Sequence, residues 1–233
     1  MVSEIRKTWG GVFDDRTIMA LYKLMNSGKI SELLALIREG KESKVLLADS
    51  KAGKVAVKVY ATEAANFKRM LPYLIGDPRF EKVKKDRRSI VLAWAKKEFK
   101  NLERAREAGV RCPRPLALEK NVLVMEFLGE DGEPAQRLSQ IPVKEPEKLF
   151  RLVLDDMEKL WARARLVHGD LSEFNMVLWK GEPWMIDLSQ AVVRDHPEAK
   201  ELLKRDLKNI CAYFKRLGVE RDHEKLYEKM VGK

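Results

Sequence analysis

The apolar residues of the first forty positions recur at a helical spacing. Between residues 15 and 38 they follow one another every three or four positions, first at Ile18, Leu21, Tyr22, Leu24 and Met25 and then, past an Asn-Ser-Gly interruption, at Ile30, Leu33, Leu34 and Ile37. Amphipathic helices have this periodicity, and Gly beside Asn or Ser marks a break. The pattern predicts a helical extension over residues 1–38.

Short β-branched runs predict the first strands. The stretch KVLLADSKAGKVAVKVY (44–60) holds two such runs around Ala52-Gly53, which is typical of a β-hairpin. Residues 61–88 show no periodicity and are expected to form a long loop. A helix is predicted at about 90–108, where Gly109 ends it, and a buried strand at 121–128.

The second half of the chain has an amphipathic segment at 145–165 and helical patterns at 198–217 and 222–231. Between them MVLW (176–179) and WMID (184–187) flank Lys180-Gly181-Glu182-Pro183, which predicts a hairpin with a four-residue turn and Met176 opposite Asp187. The order of elements predicts a two-lobed α+β fold, with an N-lobe at 39–128, a linker at 129–134 and a C-lobe at 129–233.

Composition adds a surplus of positive charge, because 46 Lys and Arg face 36 Asp and Glu, giving +10. Such a surplus suits a polyanionic partner such as RNA, or equally a thermophile-type surface of ion-pair networks. No apolar run approaches the ~20 residues that cross a bilayer. The amino terminus has no apolar signal core, and Cys112 and Cys211 stand far apart. We therefore expect a cytoplasmic protein without a membrane partner.

Four polar residues interrupt the otherwise apolar run LVHGDLSEFNMVLWKGEPWMIDLSQAV (166–192). The predicted hairpin brings Asn175 and Asp187 together at its open end, and Asp170 lies on the loop entering that end. Oxygen ligands of this kind suit Mg²⁺, and phosphoryl transfer needs a base and two metal-binding side chains. Asp170 is the candidate base, with Asn175 and Asp187 as metal ligands; the alternative makes Asp170 a turn former and Asn175 a cap. His168 is expected to brace the loop.

The upstream half of such a site should hold ATP. Lys58, in VAVKVY, is the candidate strand lysine for the phosphates, although a lone lysine there also fits a solvated strand. Glu98 on the following helix is the expected carboxylate partner of Lys58, with Glu103 as the fallback. In residues 40–45, Gly40, Ser43 and the neighbouring backbone N–H groups are candidates to cover phosphates, with Lys41 or Lys44 adding charge. That segment matches neither GxxxxGK[ST] nor GxGxxG.

These motifs together resemble the RIO family of atypical protein kinases, most closely its first subfamily. The resemblance runs from about Asp14 to beyond His196 and is most specific in DLSEFN and IDLSQAV; GKES-V, AVKVY, WAKKEFKNL, CPRP and VLVMEFLGEDGEPA also carry it. It implies a two-lobed kinase-like fold, ATP with Mg²⁺ or Mn²⁺, and a role in maturing the small ribosomal subunit. The partners implied are the pre-small-subunit particle and its rRNA.

The resemblance also implies individual roles. Asp170 resembles the catalytic aspartate, Asn175 the metal-binding asparagine, Lys58 the ATP lysine, and Asp187 the metal-loop aspartate that can carry a transient aspartyl phosphate. The implied nucleotide-binding set is Gly40, Lys41, Ser43, Val45, Lys58, Glu98, Met125, Glu126 and Leu128, with the Glu126 and Leu128 backbones at the adenine and Met125 as the gate. The chain departs from the first subfamily at Gly169, where that subfamily usually has Ala, and at Arg38, Glu39 and Ser43 in the phosphate loop.

A basic tract, RFEKVKKDRRS, carries six Lys and Arg between Arg79 and Arg88. It is interpreted either as a solvated loop or as a contact for RNA phosphates. The family resemblance makes Ser89, in the same predicted loop (61–90), the candidate autophosphorylation site.

Three other functions compete with a RIO-type Ser/Thr kinase or ATPase. One is a small-molecule, aminoglycoside-type phosphotransferase, which shares HGDL but normally has a larger acceptor-binding lobe. Another is the small kinase of tRNA threonylcarbamoylation, against which IDLSQ and the 61–90 insert argue. The third is an RNA-binding assembly factor that uses ATP as a conformational switch. No Ala-Pro-Glu anchor follows Asp187, which favours autophosphorylation or ATP hydrolysis over broad protein phosphorylation.

Overall fold

The computed structural model describes residues 2–62 and 67–232. The chain divides into two compact units: an N-terminal unit of Met1–Leu71, Lys82–Phe99 and Arg114–Pro134, and a C-terminal unit of Pro72–Glu81, Lys100–Pro113 and Ala135–Lys233. Helices and sheets occur in both, as an α+β kinase-like fold requires. The boundaries of these units differ from the predicted lobe boundaries. The N-terminal unit continues to Pro134, and two segments that the prediction placed in the N-lobe, Pro72–Glu81 and Lys100–Pro113, belong to the C-terminal unit.

The N-terminal unit is built on a five-stranded antiparallel sheet with the strand order β1-β2-β3-β5-β4. Its strands are β1 (Glu32–Glu39), β2 (Ser43–Ser50), β3 (Gly53–Tyr60), β4 (Pro115–Glu119) and β5 (Val122–Glu126). Helix α1 (Val2–Trp9) precedes α2 (Asp15–Asn26), whose Ile18, Leu21 and Leu24 belong to one apolar cluster with Val57 and Val124 of the sheet. Burial of these side chains is the main source of stability here. The predicted hairpin at 44–60 is confirmed.

The prediction of helix as far as residue 38 is wrong in its second half. Helix α2 ends at Asn26, where Ser27 caps it and Gly28 takes a φ of 70°, and the chain then enters strand β1. That strand lies at the sheet edge and has two register shifts, so only Leu33 is buried. These irregularities remove the period of two that marks a strand. Residues 1–38 are therefore only partly helical.

The prediction of an unbroken loop over 61–88 is also wrong, because helix α3 (Phe67–Leu74) lies within it; residues 63–66 of that prediction fall outside the described part of the chain. The helix was not predicted because Pro72 lies inside it, and proline is unfavourable within a helix. The next helix, α4 (Arg87–Glu107), confirms the one predicted at 90–108 and starts three residues earlier, since Asp86 caps it. The expected linker at 129–134 folds as a small hairpin of β6 (Gly129–Glu130) and β7 (Glu133–Pro134).

The C-terminal unit contains the three predicted helices as α5 (Pro146–Ala162), α6 (Ala199–Arg216) and α7 (His223–Val231), after a single 3₁₀ turn at Leu138–Gln140. Phe150 of α5 packs edge-to-face on Phe214 of α6, with ring centroids 5.3 Å apart. Two small antiparallel pairs complete the unit: β8 (Leu166–Val167) with β11 (Val192–Val193), and β9 (Met176–Trp179) with β10 (Glu182–Met185). No helix in either described range is long and apolar enough to cross a bilayer.

The hairpin of β9 and β10 turns in two residues, not in the four that were predicted. Lys180 and Gly181 take φ angles of 52° and 75°, the left-handed conformation that two-residue hairpins need. Met176 consequently pairs with Met185 and not with Asp187. Beyond the strands the Ile186 N–H still donates to the Asn175 carbonyl at 3.0 Å, so Asn175 and Asp187 leave the hairpin at the same end.

Candidate active site

Asp170 and Asn175 are joined directly on the loop that enters the β9–β10 hairpin. The Asn175 side-chain amide donates to the Asp170 carboxylate at 2.9 Å and to the Asp170 carbonyl at 2.8 Å. Since the amide nitrogen is turned toward Asp170, the Asn175 Oδ1 atom is left as an acceptor for another group. The prediction that these two residues form one cluster is supported by this geometry.

Asp187 lies just beyond the hairpin in a backbone conformation that few residues adopt. Its φ is 61°, in the left-handed region where Asp is among the better-tolerated residues. The Ser189 hydroxyl donates to Asp187 Oδ1 at 2.7 Å, and the Gln190 amide reaches Asp170 Oδ2 at 3.4 Å. Strained conformations of this kind collect at functional sites, and residues 187–190 here connect the second aspartate with the first.

His168 braces this region, as predicted. The ring is buried, and its Nε2 lies 3.2 Å from the carbonyl oxygen of Ile186, the residue before Asp187. Burial lowers the pKa of His168, so the ring is neutral and Nε2 donates to that carbonyl. His168 therefore ties the strand before Asp170 to the segment before Asp187.

Two neighbouring residues of helix α6 form hydrogen bonds with the N–H and the carbonyl of Gly169. The buried Asp206 carboxylate accepts from the Gly169 N–H at 2.8 Å and from the Leu171 N–H at 2.9 Å, while the Arg205 guanidinium donates to the Gly169 carbonyl. These bonds fix the backbone immediately before and after Asp170. Neither Arg205 nor Asp206 was predicted. The sequence feature that could have identified Asp206 is its position as an acidic residue on the apolar face of an amphipathic helix, because a buried charge there needs hydrogen-bond partners.

Asn101 performs a similar task for the segment after Asp187. Its buried side-chain amide donates to the carbonyls of Leu188 and Ala191 at 2.9 and 2.8 Å. Asn101 was not predicted either, because an asparagine inside a helix belongs to no recognisable motif.

Burial shifts the acids of this region upward. It is the largest cause that raises the pKa of Asp170, with the nearby Asp187 charge acting in the same direction, while His168 and the Asn175 hydrogen bond act against it. Burial also raises the pKa of Asp206 to about 7, against the two backbone hydrogen bonds that favour its charged form. A carboxyl with a raised pKa is a better proton acceptor at neutral pH.

The donor set around Asp170 fits a magnesium ion held jointly with phosphates. Asn175 Oδ1 and the Asp187 carboxylate are hard oxygen donors, and Mg²⁺ is typically bound by one or two carboxylates together with substrate phosphates and water. Within the described residues no group of three or more His, Cys, Asp or Glu side chains forms a complete metal cage. The residues therefore fit a metal whose remaining ligands come from the phosphates of a nucleotide and from water.

Lys58 forms a buried ion pair with Glu98 in the N-terminal unit, as expected. Lys58 Nζ lies 2.9 Å from Glu98 Oε1, and both side chains are at most 5% exposed. Lys58 also lies over the Tyr60 ring, 5.2 Å from its centroid. Glu103, the fallback partner, pairs with Lys100 on the helix surface. A buried lysine beside a carboxylate is held in one orientation, so the reading of Lys58 as a solvated strand residue is wrong.

Of the other predicted nucleotide-binding positions, Val45 lies directly beside Lys58 in the sheet. Val45 and Leu123 are its register partners on the two neighbouring strands. Gly40 and Ser43 close the β1–β2 turn through a 2.9 Å bond from the Gly40 N–H to the Ser43 carbonyl, with Lys41 exposed between them. Their contact with phosphate stays a prediction.

The predicted adenine-binding segment begins at the end of β5. Met125 pairs with Ala56 of β3, and the Glu126 N–H donates to the Arg114 carbonyl at 2.8 Å. The Glu126 side chain accepts in turn from the Arg114 N–H at 3.0 Å, and Leu128 is buried. The segment is thereby anchored to the strand before it. Adenine binding by Glu126 and Leu128 stays a prediction.

Ser89 does not lie in a loop. It occupies the first turn of α4, where its N–H donates to Asp86 Oδ1 at 2.9 Å and its hydroxyl to Asp86 Oδ2 at 2.6 Å. The Ser89 hydroxyl therefore takes part in capping the helix. This role was not predicted, because the helix was expected to start at residue 90. Phosphorylation of Ser89 remains a prediction, and it requires this bond to open.

Known proteins of one family are similar to this chain over most of its length. A family model described as the RIO domain matches residues 44–226. The RIO-type serine/threonine-protein kinase Rio1 of Haloferax volcanii is 46% identical over 222 residues, covering 95% of this chain and 76% of that protein. The protein of the same name from Methanocaldococcus jannaschii is 42% identical over 227 residues, covering 97% of this chain and 78% of that protein.

Solved structures share the fold. The Rio2 kinase–ADP/Mg²⁺–phosphoaspartate complex from Chaetomium thermophilum superposes with a TM-score of 0.69 at 22% identity, covering 91% of this chain and 65% of that chain. The present chain spans less than two thirds of that Rio2 chain. The predicted kinase-like α+β fold and the predicted family are both confirmed. The chain belongs to the RIO family of atypical serine/threonine protein kinases, and within it to the Rio1 subfamily.

Proposed function

We propose that this protein transfers the γ-phosphoryl group of ATP to a serine of its own chain and to water, in the cytoplasm, with Mg²⁺ or Mn²⁺ bound beside the phosphates. The observation that carries the proposal is the hydrogen-bonded pair of Asp170 and Asn175, placed where the hairpin also delivers Asp187. This is the set of groups that phosphoryl transfer uses.

Asp170 accepts the proton of the attacking hydroxyl. Its raised pKa strengthens it as a base, and the Asn175 bond directs its carboxylate. Lys58, held by Glu98, binds the phosphates of ATP in the N-terminal unit. The divalent ion, when bound by Asn175 and Asp187, supplies neutralising charge on the phosphates. These side chains position the hydroxyl, the phosphates and the metal ion relative to one another, and positioning is most of what phosphoryl transfer requires of an enzyme.

Asp187 is also a candidate for a covalent intermediate. A carboxylate oxygen of Asp187 attacks the γ-phosphorus, the bond to the β-γ bridging oxygen breaks, and ADP leaves; water then attacks the acyl phosphate and releases inorganic phosphate. The Rio2 structure of similar fold is named as a phosphoaspartate complex. In this chain the hydrogen bond from the Ser189 hydroxyl orients the Asp187 carboxylate, as a nucleophile needs.

The proposed biological setting is the maturation of the small ribosomal subunit, with the pre-small-subunit particle and its rRNA as partners. The net charge of +10 supports a polyanionic partner. Lys82, Lys84 and Lys85 are exposed along an irregular segment before α4, which is consistent with contact to phosphates.

The test is incubation with γ-labelled ATP and Mg²⁺. Acid-stable label on serine indicates a kinase, hydroxylamine-labile label indicates an acyl phosphate, and free phosphate indicates an ATPase. Asp170→Asn should lower turnover by about 10²- to 10⁴-fold, the usual contribution of a general base, while ATP binding persists. If wild-type protein binds ATP and RNA without turnover, the switch-type assembly factor is correct; label transferred to an added aminoglycoside would indicate a small-molecule phosphotransferase.

A further inference from the structure

A cavity of about 330 Å³ lies in the N-terminal unit, outside the residues assigned to ATP. Its walls come from the first turn of α2, from Thr62 after β3, from the first turn of α4 and from the turn between β4 and β5. Four cationic side chains line it, namely Arg16, Arg87, Arg88 and Lys120, against the carboxylates of Asp14 and Asp15. The lining therefore has a formal excess of two positive charges.

One of the two acids is occupied as a structural cap. Asp14 accepts from the Thr17 N–H at 2.7 Å through one oxygen and from the Thr62 hydroxyl at 2.5 Å through the other. Both bonds fix the start of α2 and the chain after β3. Asp14 thus shapes the wall of the cavity, and its carboxylate is already directed at protein donors.

Three of the cations lack a protein counter-charge. Arg16, Arg88 and Lys120 form no ion pair with any residue of the described ranges. Elsewhere in the same unit lysines do pair, as Lys23 does with Glu119 and Lys54 with Asp49. Like charges that converge on a cavity repel one another, and an anion between them removes that cost.

Exposed cations also precede in sequence the helix that lines the cavity. Lys82, Lys84 and Lys85 are exposed on the irregular segment that runs into α4, and that helix supplies Arg87 and Arg88 to the cavity. A single phosphate would neutralise only the charges of the cavity, whereas the further exposed lysines match an anion with regularly repeated charges. Arginine and lysine side chains make most phosphate contacts in nucleic-acid complexes.

We propose that this cavity binds a phosphate of an RNA backbone, whose neighbouring phosphates lie along Lys82, Lys84 and Lys85. The choice of RNA as the polyanion rests on the proposed role in ribosome maturation. The binding itself requires neither ATP nor turnover. The site is also separate from the residues placed in the reaction, so its loss should leave catalysis intact.

The test measures binding of a short fluorescent single-stranded RNA to the full chain by anisotropy, without nucleotide, over a range of salt concentrations. Arg16→Glu, Arg88→Glu and Lys120→Glu should each weaken binding about fivefold to tenfold and lower the slope of log affinity against log salt by about 1. Lys208→Glu, an exposed position on α6, makes the same change in net charge and should have a much smaller effect. Thermal unfolding checks the fold, and the milder Arg88→Gln should weaken binding in the same direction.

Equal effects of Lys208→Glu and the cavity variants would overturn the proposal, because net charge alone would then explain binding. Wild-type protein that does not bind the RNA would also overturn it, as would a phosphorylated peptide that displaces RNA at equal concentration. ATP turnover is measured on the same variants and should be unchanged. Absent turnover in wild type, with RNA binding still lost in the cavity variants, would reject the proposed enzymatic function and leave the RNA site standing.

Discussion

Replacing Asp206 by Asn tests how much catalysis depends on the backbone around Asp170. Asn has the same shape, but only one of its two terminal atoms accepts a hydrogen bond. The wild-type carboxylate accepts two, from Gly169 and Leu171, at 2.8 and 2.9 Å. One of these backbone N–H groups is therefore left facing an amide N–H in the variant. Asp206 does not touch the reacting groups, so its role is positioning.

Two opposing effects of known order determine the stability of this variant. An unsatisfied buried N–H costs about 1–3 kcal/mol. Against this, burial raises the pKa of Asp206 from 3.8 to about 7, and at 1.36 kcal/mol per pKa unit its ionisation in the folded protein costs about 4 kcal/mol. Because the folded pKa is the higher one, the stability from Asp206 is fully present below pH 4 and is lost as the pH rises through 7. Asp206→Asn should gain stability relative to wild type over that range.

Catalysis should respond differently, because it depends on position and not on total stability. A displacement of about 1 Å at a reacting group can cost about 10²-fold in rate. We expect kcat for ATP turnover to fall about 10- to 100-fold in Asp206→Asn, while KM for ATP changes little, since Lys58 and Glu98 are untouched.

The assay is steady-state phosphate release at pH 8, with denaturant unfolding between pH 4 and 8. Asp222→Asn is the control for the same substitution at another helix: Asp222 accepts the Glu224 and Lys225 N–H groups through one oxygen at the start of α7, so an asparagine there can keep both bonds. An unchanged kcat in Asp206→Asn, or an equal fall in Asp222→Asn, would refute the positioning role. A stability difference that does not change with pH would refute the shifted pKa.

Three further predictions concern other parts of the molecule. Glu98→Gln removes the carboxylate that pairs with the buried Lys58 at 2.9 Å, so the unfolding free energy should fall by about 3 kcal/mol and kcat/KM for ATP should fall with it, whereas Glu103→Gln should change neither. Burial raises the pKa of Asp156 to about 6, so the stability that Asp156 contributes is lost as the pH rises through 6. In urea titrations, the unfolding free energy of Asp156→Asn relative to that of wild type should therefore rise by about 3 kcal/mol between pH 4 and pH 7. Gly169→Ala, at a φ of 78°, should destabilise by about 1 kcal/mol in the same titrations.

Sequence reasoning succeeded for side chains whose spacing directly expresses a role. Lys58 alternates within a strand and Glu98 lies on the next helix, and the structure joins them at 2.9 Å. Asp170 and Asn175, five positions apart, are joined by a side-chain hydrogen bond. The short separation of Asp170 and Asn175 limits where the backbone can place their side chains. Lys58 and Glu98 lie 40 positions apart, and they were paired from the motif of a strand lysine followed by a helix carboxylate.

The positioning residues were missed because no motif links them to their partners, which lie far along the chain. Asp206 bonds to residues 35 and 37 positions earlier, and Asn101 to carbonyls 87 and 90 positions later. No local periodicity encodes such a contact. What the sequence did contain was an acid among Leu202, Leu203, Leu207 and Ile210, the buried face of α6. A polar group on a buried face predicts that a partner exists, without telling which one.

The wrong turn length in the β9–β10 hairpin did not harm the prediction of the site, and the reason is geometric. Shortening the turn from four residues to two shifts the register by two positions, from Met176 opposite Asp187 to Met176 opposite Met185. Because side chains alternate with a period of two, a shift of two leaves every residue on its original face. Asn175 then faces Ile186 across the end of the hairpin, and Asp187 follows it directly. In the predicted register Asn175 would have faced Leu188, whereas in the observed register it faces Ile186. Asp187 therefore stands one position from the cross-strand partner of Asn175 in both registers, so a shift of two keeps the two residues near each other at the open end of the hairpin.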